Sequence, residues 1–104
     1  MPTKIKERFF AMKAVSRTVV QLKPGKKSEA DEFMLDKSDA ISLIEGLVSW
    51  GYIYTGENEI TVIAVYNDKV SAENATPYVN KLLSDVAPLV AAPPVRNIYN
   101  AHWY

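Results

Sequence analysis

Residues 45–66 read EGLVSWGYIYTGENEITVIAVY, and this stretch decides the fold. Two apolar runs flank the polar residues 56–59, which predicts a β-hairpin with strands over residues 47–55 and 60–66. In the first strand both sides are apolar: Val48, Trp50, Tyr52 and Tyr54 on one, Leu47, Gly51 and Ile53 on the other. A strand with one face in water alternates apolar with polar residues. We therefore expect both faces to be covered, one by the chain's own helices and the other by a partner subunit or a ligand.

Length and composition predict one globular domain over residues 1–104, with residues 1–11 as a flexible arm. The chain has 104 residues, of which 48% are apolar, and its net charge is zero. No apolar run approaches the roughly 20 residues of a membrane span, and no secretory signal is recognisable at the N-terminus. Neutral charge gives no general attraction to nucleic acid or to anionic lipid. With no cysteine, disulfides and thiol chemistry are excluded, and a cytoplasmic location is expected.

The rest of the chain supplies two more strands and two helical regions. Residues 12–22 are rich in β-branched side chains and predict the first strand, and residues 95–104 predict the last. Between the first strand and the hairpin, apolar residues recur at helical spacing after Ser28, a candidate N-cap. A second helical region follows the hairpin, with Ser71 as one possible N-cap and Thr76, which is followed by a proline, as a better one.

This order of elements predicts an α+β fold of the ferredoxin-like βαββαβ type. With right-handed crossovers, it gives a four-stranded antiparallel sheet with both helices on one face. The other face of the sheet is then left bare. A bare face that carries several aromatic side chains is an interaction site, which predicts a homodimer.

Three segments resemble the dimeric α+β barrel proteins: RTVVQLKPGKKSEADEF at residues 17–33, SWGY at 49–52 and APLVAAPPVRNIY at 87–99. Within that superfamily the chain is similar to the antibiotic-biosynthesis-monooxygenase-like group over residues 14–104. The resemblance implies two protomers packed sheet against sheet, each with a pocket between its own sheet and helices. It also implies a small aromatic or polyketide-like ligand and an oxygenase that works with no cofactor and no metal. The haem-degrading branch has a histidine on the second helix, where this chain has none, so haem degradation is not expected.

His102 is the only histidine and the only side chain whose unperturbed pKa lies near neutrality. A positioned imidazole could take a proton from a phenol or from an acidic carbon. Asn100 shares the predicted face of His102, so the two could orient a polar group together. They could equally pair across the dimer, or the histidine could simply be satisfied by a neighbour or by water. A metal site is not expected, because no second histidine or cysteine is available.

Four further side chains are candidates for a ligand pocket or for the dimer interface. Trp50, Tyr52 and Tyr54 could form a wall on which a flat ligand stacks, or they could belong to the interface or to the core. Arg17 interrupts the apolar first strand. It could hold a carboxylate or pair with an acidic residue of the partner subunit, which is the interpretation we favour.

Three functions are compatible with these features to different degrees. The first is an oxygenase-like enzyme acting on a small aromatic molecule, and the second is a non-catalytic dimeric module that binds a ligand or serves as a scaffold. The third is RNA binding, because RNA-recognition domains share a related sheet topology. Those domains stack bases on a basic-glycine-aromatic motif in the third strand, and residues 60–66 (ITVIAVY) carry no such motif. We therefore expect no nucleic-acid partner.

Overall fold

Strands and helices follow one another in the order that the sequence predicts. The computed structural model describes residues 12–104, and the predicted flexible arm, residues 1–11, lies outside them. The elements are β1 (Lys13–Gln21), α1 (Lys27–Ser42), β2 (Leu47–Gly56), β3 (Glu59–Tyr66), α2 (Lys69–Asn74), α3 (Thr76–Asp85), a 3-10 turn (Ala87–Leu89) and β4 (Val95–Ala101). Among these described elements, no helix combines the length and the apolar character needed to cross a lipid bilayer.

The four strands form one antiparallel sheet in the order β2-β3-β1-β4. In its centre, Thr18 of β1 pairs with Val62 of β3 on one side and with Arg96 of β4 on the other. Paired residues of antiparallel neighbours point to the same face, so this register fixes which side chains lie together. The predicted ferredoxin-like α+β fold is confirmed.

All described helices pack on one face of this sheet, and small residues let them approach it closely. Ala14 of β1, which is fully buried, packs with Ala72 and Ala75 at α2 and its C-terminal end. Towards the other end of the sheet, Val20 packs with Ala30 of α1. Because both clusters lie on the same face, the opposite face carries no helix from residues 12–104.

The hairpin between β2 and β3 turns through Glu57 and Asn58, two residues inside the polar segment predicted for the turn. Its register is irregular between Leu47 and Ser49, where β2 carries a bulge. A bulge shifts the alternation of side chains by one residue. As a result Leu47, and not the half-exposed Val48, shares the helix-covered face with Trp50. The predicted alternation was wrong at this point.

The helices differ from the prediction at their ends. Helix α1 starts at Lys27, one residue before the predicted cap Ser28. The second helical region is divided at Ala75 into α2 and α3. Asp68, and not Ser71, caps α2: its carboxylate accepts a hydrogen bond of 2.8 Å from the Ser71 backbone N–H, and this bond lowers the pKa of Asp68. Helix α3 starts at Thr76 itself, so its N-cap is Ala75 and not the predicted Thr76, and the proline lies in the first turn as expected.

Candidate functional site

A cavity of about 80 Å³ lies between the helix-covered face of the sheet and helices α1 and α3. Most of its lining is aliphatic or aromatic, as expected for the space between an amphipathic helix and a sheet. The helices close it loosely: α1 has only Ala30 and Ile41 as buried residues, and α3 has none. The cavity is smaller than the roughly 150 Å³ that accept a benzene molecule in an apolar protein core. A whole ring therefore needs more space than the cavity has with its side chains in these positions.

Hydroxyl groups of the central strands form the polar part of the cavity floor. Ser16 and Thr18 of β1 and Tyr66 of β3 line it, and all three side chains are buried. Within residues 12–104, no side-chain hydrogen bond engages the hydroxyls of Ser16 or Thr18. A hydroxyl can both donate and accept a hydrogen bond, so Ser16 and Thr18 provide polar groups at the cavity floor.

Arg96 of β4 is the only charged side chain among the described lining residues. Its Nη1 donates to Thr76 Oγ1 at 2.8 Å, and its Nη2 donates to the backbone oxygen of Ala72 at 3.0 Å. These bonds join β4 to α2 and α3 and fix the guanidinium in place. Its Nε is buried and has no hydrogen-bond partner among the described residues. A guanidinium has five N–H donors, so Arg96 can still donate to an anionic or carbonyl oxygen.

The sequence-based search for candidates missed Arg96 and chose Arg17 instead. Arg17 lies on the opposite face of the sheet, exposed, with its guanidinium carbon 5.9 Å from the centre of the Tyr99 ring. Arg96 pairs with Thr18, whose side chain faces the helices, and this pairing shows that the side chain of Arg96 faces the helices too. That pairing requires the register of β1 and β4, which the sequence pattern alone does not provide.

Trp50, Tyr52 and Tyr54 lie on the helix-covered face rather than on the open one. Trp50 lines the cavity, and its Nε1 donates to Ser42 Oγ of α1 at 3.2 Å. The Tyr52 and Tyr54 hydroxyls both donate to Asp31 Oδ1, at 2.9 and 2.7 Å, beyond the cavity wall. Their rings meet edge to face, with centroids 6.0 Å apart. The two tyrosines thus attach β2 to α1.

The Asp31 carboxylate raises the pKa of both tyrosines, although the order of causes differs between them. For Tyr52 the larger cause is burial of the hydroxyl, followed by the hydrogen bond to Asp31. For Tyr54 the hydrogen bond to Asp31 comes first. Both hydroxyls are therefore protonated donors at neutral pH, and neither serves as a base there.

Asn100 and His102 do not reach the cavity lining. Asn100 pairs with Ala14 near the end of β4 and is exposed. Strand β4 ends at Ala101, so the predicted strand over residues 95–104 is too long, and His102 lies beyond it, also exposed. In the part of the chain that the structure describes, no group of three or more histidine, aspartate or glutamate side chains is arranged to hold a metal ion.

No protein-family model matches the sequence, and no curated protein matches it either. Solved structures do share its fold. A protein of unknown function from Nitrosomonas europaea has a TM-score of 0.76 at 16% identity, over 90% of this chain and 93% of its own. A proposed antibiotic biosynthesis monooxygenase from the same organism gives 0.75 at 14% identity, over 88% and 91%. A mutant of SnoaB, a cofactor-independent oxygenase from Streptomyces nogalater, gives 0.70 at 12% identity, over 88% and 95%.

Sequence identities this low establish the fold and leave the activity open. The matches cover 88–90% of this chain. The chain thus has the fold that these solved structures share, which is the antibiotic-biosynthesis-monooxygenase-like fold that its sequence predicts.

Proposed function

We propose that the protein binds a small, electron-rich aromatic molecule in the cavity and acts on it as a cofactor-independent, monooxygenase-like enzyme. The observation that carries this proposal is Arg96: a fixed guanidinium with a buried, unpartnered Nε at the wall of an otherwise apolar cavity. An apolar space with one cationic donor favours a ring that carries an acidic oxygen, such as a phenol or an enol. A nearby positive charge lowers the pKa of such an oxygen by about 1–3 units.

The anion of such a substrate is the species that reacts with dioxygen. It donates electrons to dioxygen, so the substrate itself serves as the reductant. In the keto tautomer of such a substrate, a ring CH2 group becomes a carbonyl group that carries one oxygen atom, and the other oxygen atom leaves as water with the two hydrogens of that CH2 group. In this scheme Arg96 stabilises the substrate anion, the Ser16 and Thr18 hydroxyls orient it, and Trp50 provides a wall for the ring. His102, beyond the end of β4 and outside the cavity lining, remains the proposed proton acceptor, and Asn100 the group proposed to orient a polar group together with it.

The protein is also proposed to work as a homodimer that joins the open faces of two sheets. Large apolar side chains on this face are exposed in the single chain: Ile53 by 55%, Val95 by 58% and Tyr99 by 48%. They lie on the two edge strands, β2 and β4, and so flank the face from both sides. Covering several such side chains contributes about 1.5–3 kcal/mol each. Arg17 lies on the same face, where it could pair with an acidic residue of the second copy.

Binding of 4-nitrophenol tests the role of Arg96, because the phenol and its yellow phenolate are distinguished by absorbance. We expect the bound compound to ionise at lower pH than the free one. Replacing Arg96→Met should weaken binding about tenfold or more, since a hydrogen bond to a charged group contributes roughly 1.5–3 kcal/mol. Arg96→Lys keeps the charge but not the planar fork and should give an intermediate loss. Wild-type affinity in the Arg96→Met variant would refute the proposal.

Two controls separate this role from a structural one. Arg17→Met removes an arginine from the opposite face and should leave the ionisation of 4-nitrophenol unchanged, which also tests the sequence-based prediction for Arg17. Thr76→Ala cuts one of the anchors of Arg96 while keeping its charge. If Thr76→Ala lowers the melting temperature as much as Arg96→Met but retains binding, loss of packing does not explain the Arg96→Met result.

A second candidate function is binding without chemistry. It is favoured by one observation: the described lining of the cavity contains no histidine, aspartate, glutamate or lysine that could act as a general base. Oxygen uptake in the presence of phenols or anthrones separates the two functions. An enzyme consumes one dioxygen per substrate oxidised, whereas a binding module shifts the absorbance of 4-nitrophenol and consumes none.

A further inference from the structure

A groove of about 310 Å³ opens on the outside of the molecule, between the C-terminal end of α1 and the junction of α2 with α3. Its lining includes Leu43 and Ile44 from the turn after α1, Ala75 from the junction, and Tyr78 from α3. Leu43 is 84% exposed, although it is a large apolar side chain. The groove is thus a second concave surface, and the cavity described above does not account for it.

Ile44 belongs to the lining of both spaces, so one side of this residue faces the cavity and another faces the groove. Helix α3 also borders both spaces, through two consecutive residues: Val79 lines the cavity and Tyr78 lines the groove. The backbone of Ile44 is held, since its N–H donates to the oxygen of Ile41 at 3.0 Å and its oxygen accepts from Leu47 at 3.1 Å. Ile44 is therefore a shared wall of the two spaces.

The sizes of the two spaces are those of two parts of one ligand site. Small-molecule sites usually occupy roughly 300–1,000 Å³, and the cavity alone, at about 80 Å³, has room for little more than part of one ring. The groove supplies the missing volume. A molecule that uses both spaces would place its ring beside Arg96 and its remaining length past Ile44.

The groove also differs from the cavity in its polar groups. Its lining contains the Glu45 carboxylate, the Asn74 amide and the Tyr78 hydroxyl, and Glu45 is its only charged member among the described lining residues. The cavity has the opposite sign of charge, at Arg96. A carboxylate disfavours a second anion nearby and accepts hydrogen bonds from hydroxyl or ammonium groups.

We infer that cavity and groove form one site for an elongated phenol or enol whose far end carries hydroxyl or ammonium groups. This inference rests on the proposed function, since the aromatic ring occupies the cavity. It adds a substrate class: an acidic oxygen at the inner end, a hydrogen-bond donor at the outer end, and no carboxylate there. Ile44 is the residue that both parts of the ligand contact.

Four phenols test this inference: p-cresol as the ring alone, and three para-substituted phenols with a four-carbon chain that ends in hydroxyl, ammonium or carboxylate. Binding is followed by the fluorescence of Trp50 in the Trp103→Phe variant, which has Trp50 as its single tryptophan. We expect the hydroxyl and ammonium compounds to bind about 3–10-fold more tightly than p-cresol, the range that one added hydrogen bond provides. The carboxylate compound should gain nothing or bind more weakly.

Groove variants then show whether the added affinity comes from the groove. Glu45→Gln should remove the preference for ammonium over carboxylate, and Asn74→Ala should reduce the gain of the hydroxyl compound, while p-cresol binds as before. Ile44→Ala should favour the chain-bearing phenols over p-cresol. Ile41→Ala is the matched control, because Ile41 lines the cavity only and its truncation should affect all four phenols alike. If either alanine variant unfolds, Ile44→Val and Ile41→Val replace the pair.

The outcomes separate the two proposals. If p-cresol and all three longer phenols bind equally, or if Glu45→Gln leaves the charge preference intact, the inference about the groove is wrong and the cavity proposal stands. If no phenol changes the fluorescence of Trp50, the cavity proposal fails and the inference fails with it.

Discussion

The turn between α1 and β2 borders both the cavity and the groove, and Gly46 in this turn gives the sharpest test of its packing. Gly46 has a φ of +81°, and a Cβ added there would lie 2.5 Å from Ser71 Oγ and 2.6 Å from Ser71 Cβ. Gly25 is a matched control, with a φ of +79° and no atom within 4 Å of an added Cβ. The two glycines share the backbone conformation and differ in the space around them.

The effect of alanine at each glycine depends on the backbone conformation and on the space around the added Cβ. The left-handed conformation costs a non-glycine residue about 1–2 kcal/mol, and Gly25→Ala should lower the free energy of unfolding by this amount only. Gly46→Ala adds the overlap with Ser71, and forcing extra volume into a packed site costs about 1–3 kcal/mol. In a domain of this size 1 kcal/mol lowers the melting temperature by about 4–8 °C. We therefore expect Gly46→Ala to melt at least about 4 °C below Gly25→Ala in differential scanning calorimetry.

A double-mutant cycle assigns the extra loss to Ser71. In a Ser71→Gly background both contacting atoms are gone, so Gly46→Ala should cost only as much as Gly25→Ala does in the wild type. Equal melting temperatures for Gly46→Ala and Gly25→Ala would refute the description of a tightly packed turn. The groove would then lack the rigid border that its role in binding requires.

Three further predictions concern the dimer, pH dependence and proton transfer. Ile53→Asp should reduce the mass measured by light scattering from about twice 11.6 kDa to that of one chain. The control Leu35→Asp, on the outer side of α1 and 76% exposed, should leave the dimer intact, and equal behaviour of the two variants would contradict a sheet-to-sheet dimer. The pKa of Tyr52 is raised in the folded state, whereas tyrosines of the unfolded chain titrate near pH 10, so the free energy of unfolding should be constant below about pH 10 and fall above it. Melting temperatures measured at rising pH should fall less for Tyr52→Phe than for the wild type, and identical pH profiles would contradict this linkage. His102→Ala should lower oxygen uptake about 100-fold or more while the affinity for 4-nitrophenol is retained; unchanged uptake would exclude His102 as the base.

The sheet and its connections could be predicted from the sequence because they depend on local patterns. Residues 45–66 combine two strand-length apolar runs with a polar turn, and β2 and β3 lie where that pattern places them. Pro24 and Gly25 disfavour a continued strand, and β1 accordingly ends at Gln21, close to the predicted end at residue 22. The cap of α2 was missed: Ser71 was considered as the cap, whereas the carboxylate of Asp68, three residues earlier, accepts the hydrogen bond from the Ser71 backbone N–H.

The facing of the strands could not be predicted in the same way. Alternation shows which residues share a face but does not show which face the helices cover. Trp50 faces the helices because it pairs with Ala64, which in turn pairs with the inward-facing Ser16, and this chain of pairings exists only in the assembled sheet. The bulge at Leu47–Ser49 adds a shift that no composition rule signals.

The two arginines of the sheet show why the site had to be found in the structure. Arg17 pairs with Asn97 and Thr18 pairs with Arg96, so the two guanidinium groups lie one step apart in register and on opposite faces. Arg17 remains at an exposed surface, where a charge costs little. Arg96 is partly buried with two neutral hydrogen-bond acceptors and no carboxylate partner in the described chain. Its hydrogen bonds join β4 to α2 and α3 but leave the buried Nε without a partner among the described residues, and an unsatisfied buried donor costs about 1–3 kcal/mol. In the proposed function an anionic oxygen of the ligand occupies that position, and the loss of 4-nitrophenol binding in Arg96→Met tests this directly.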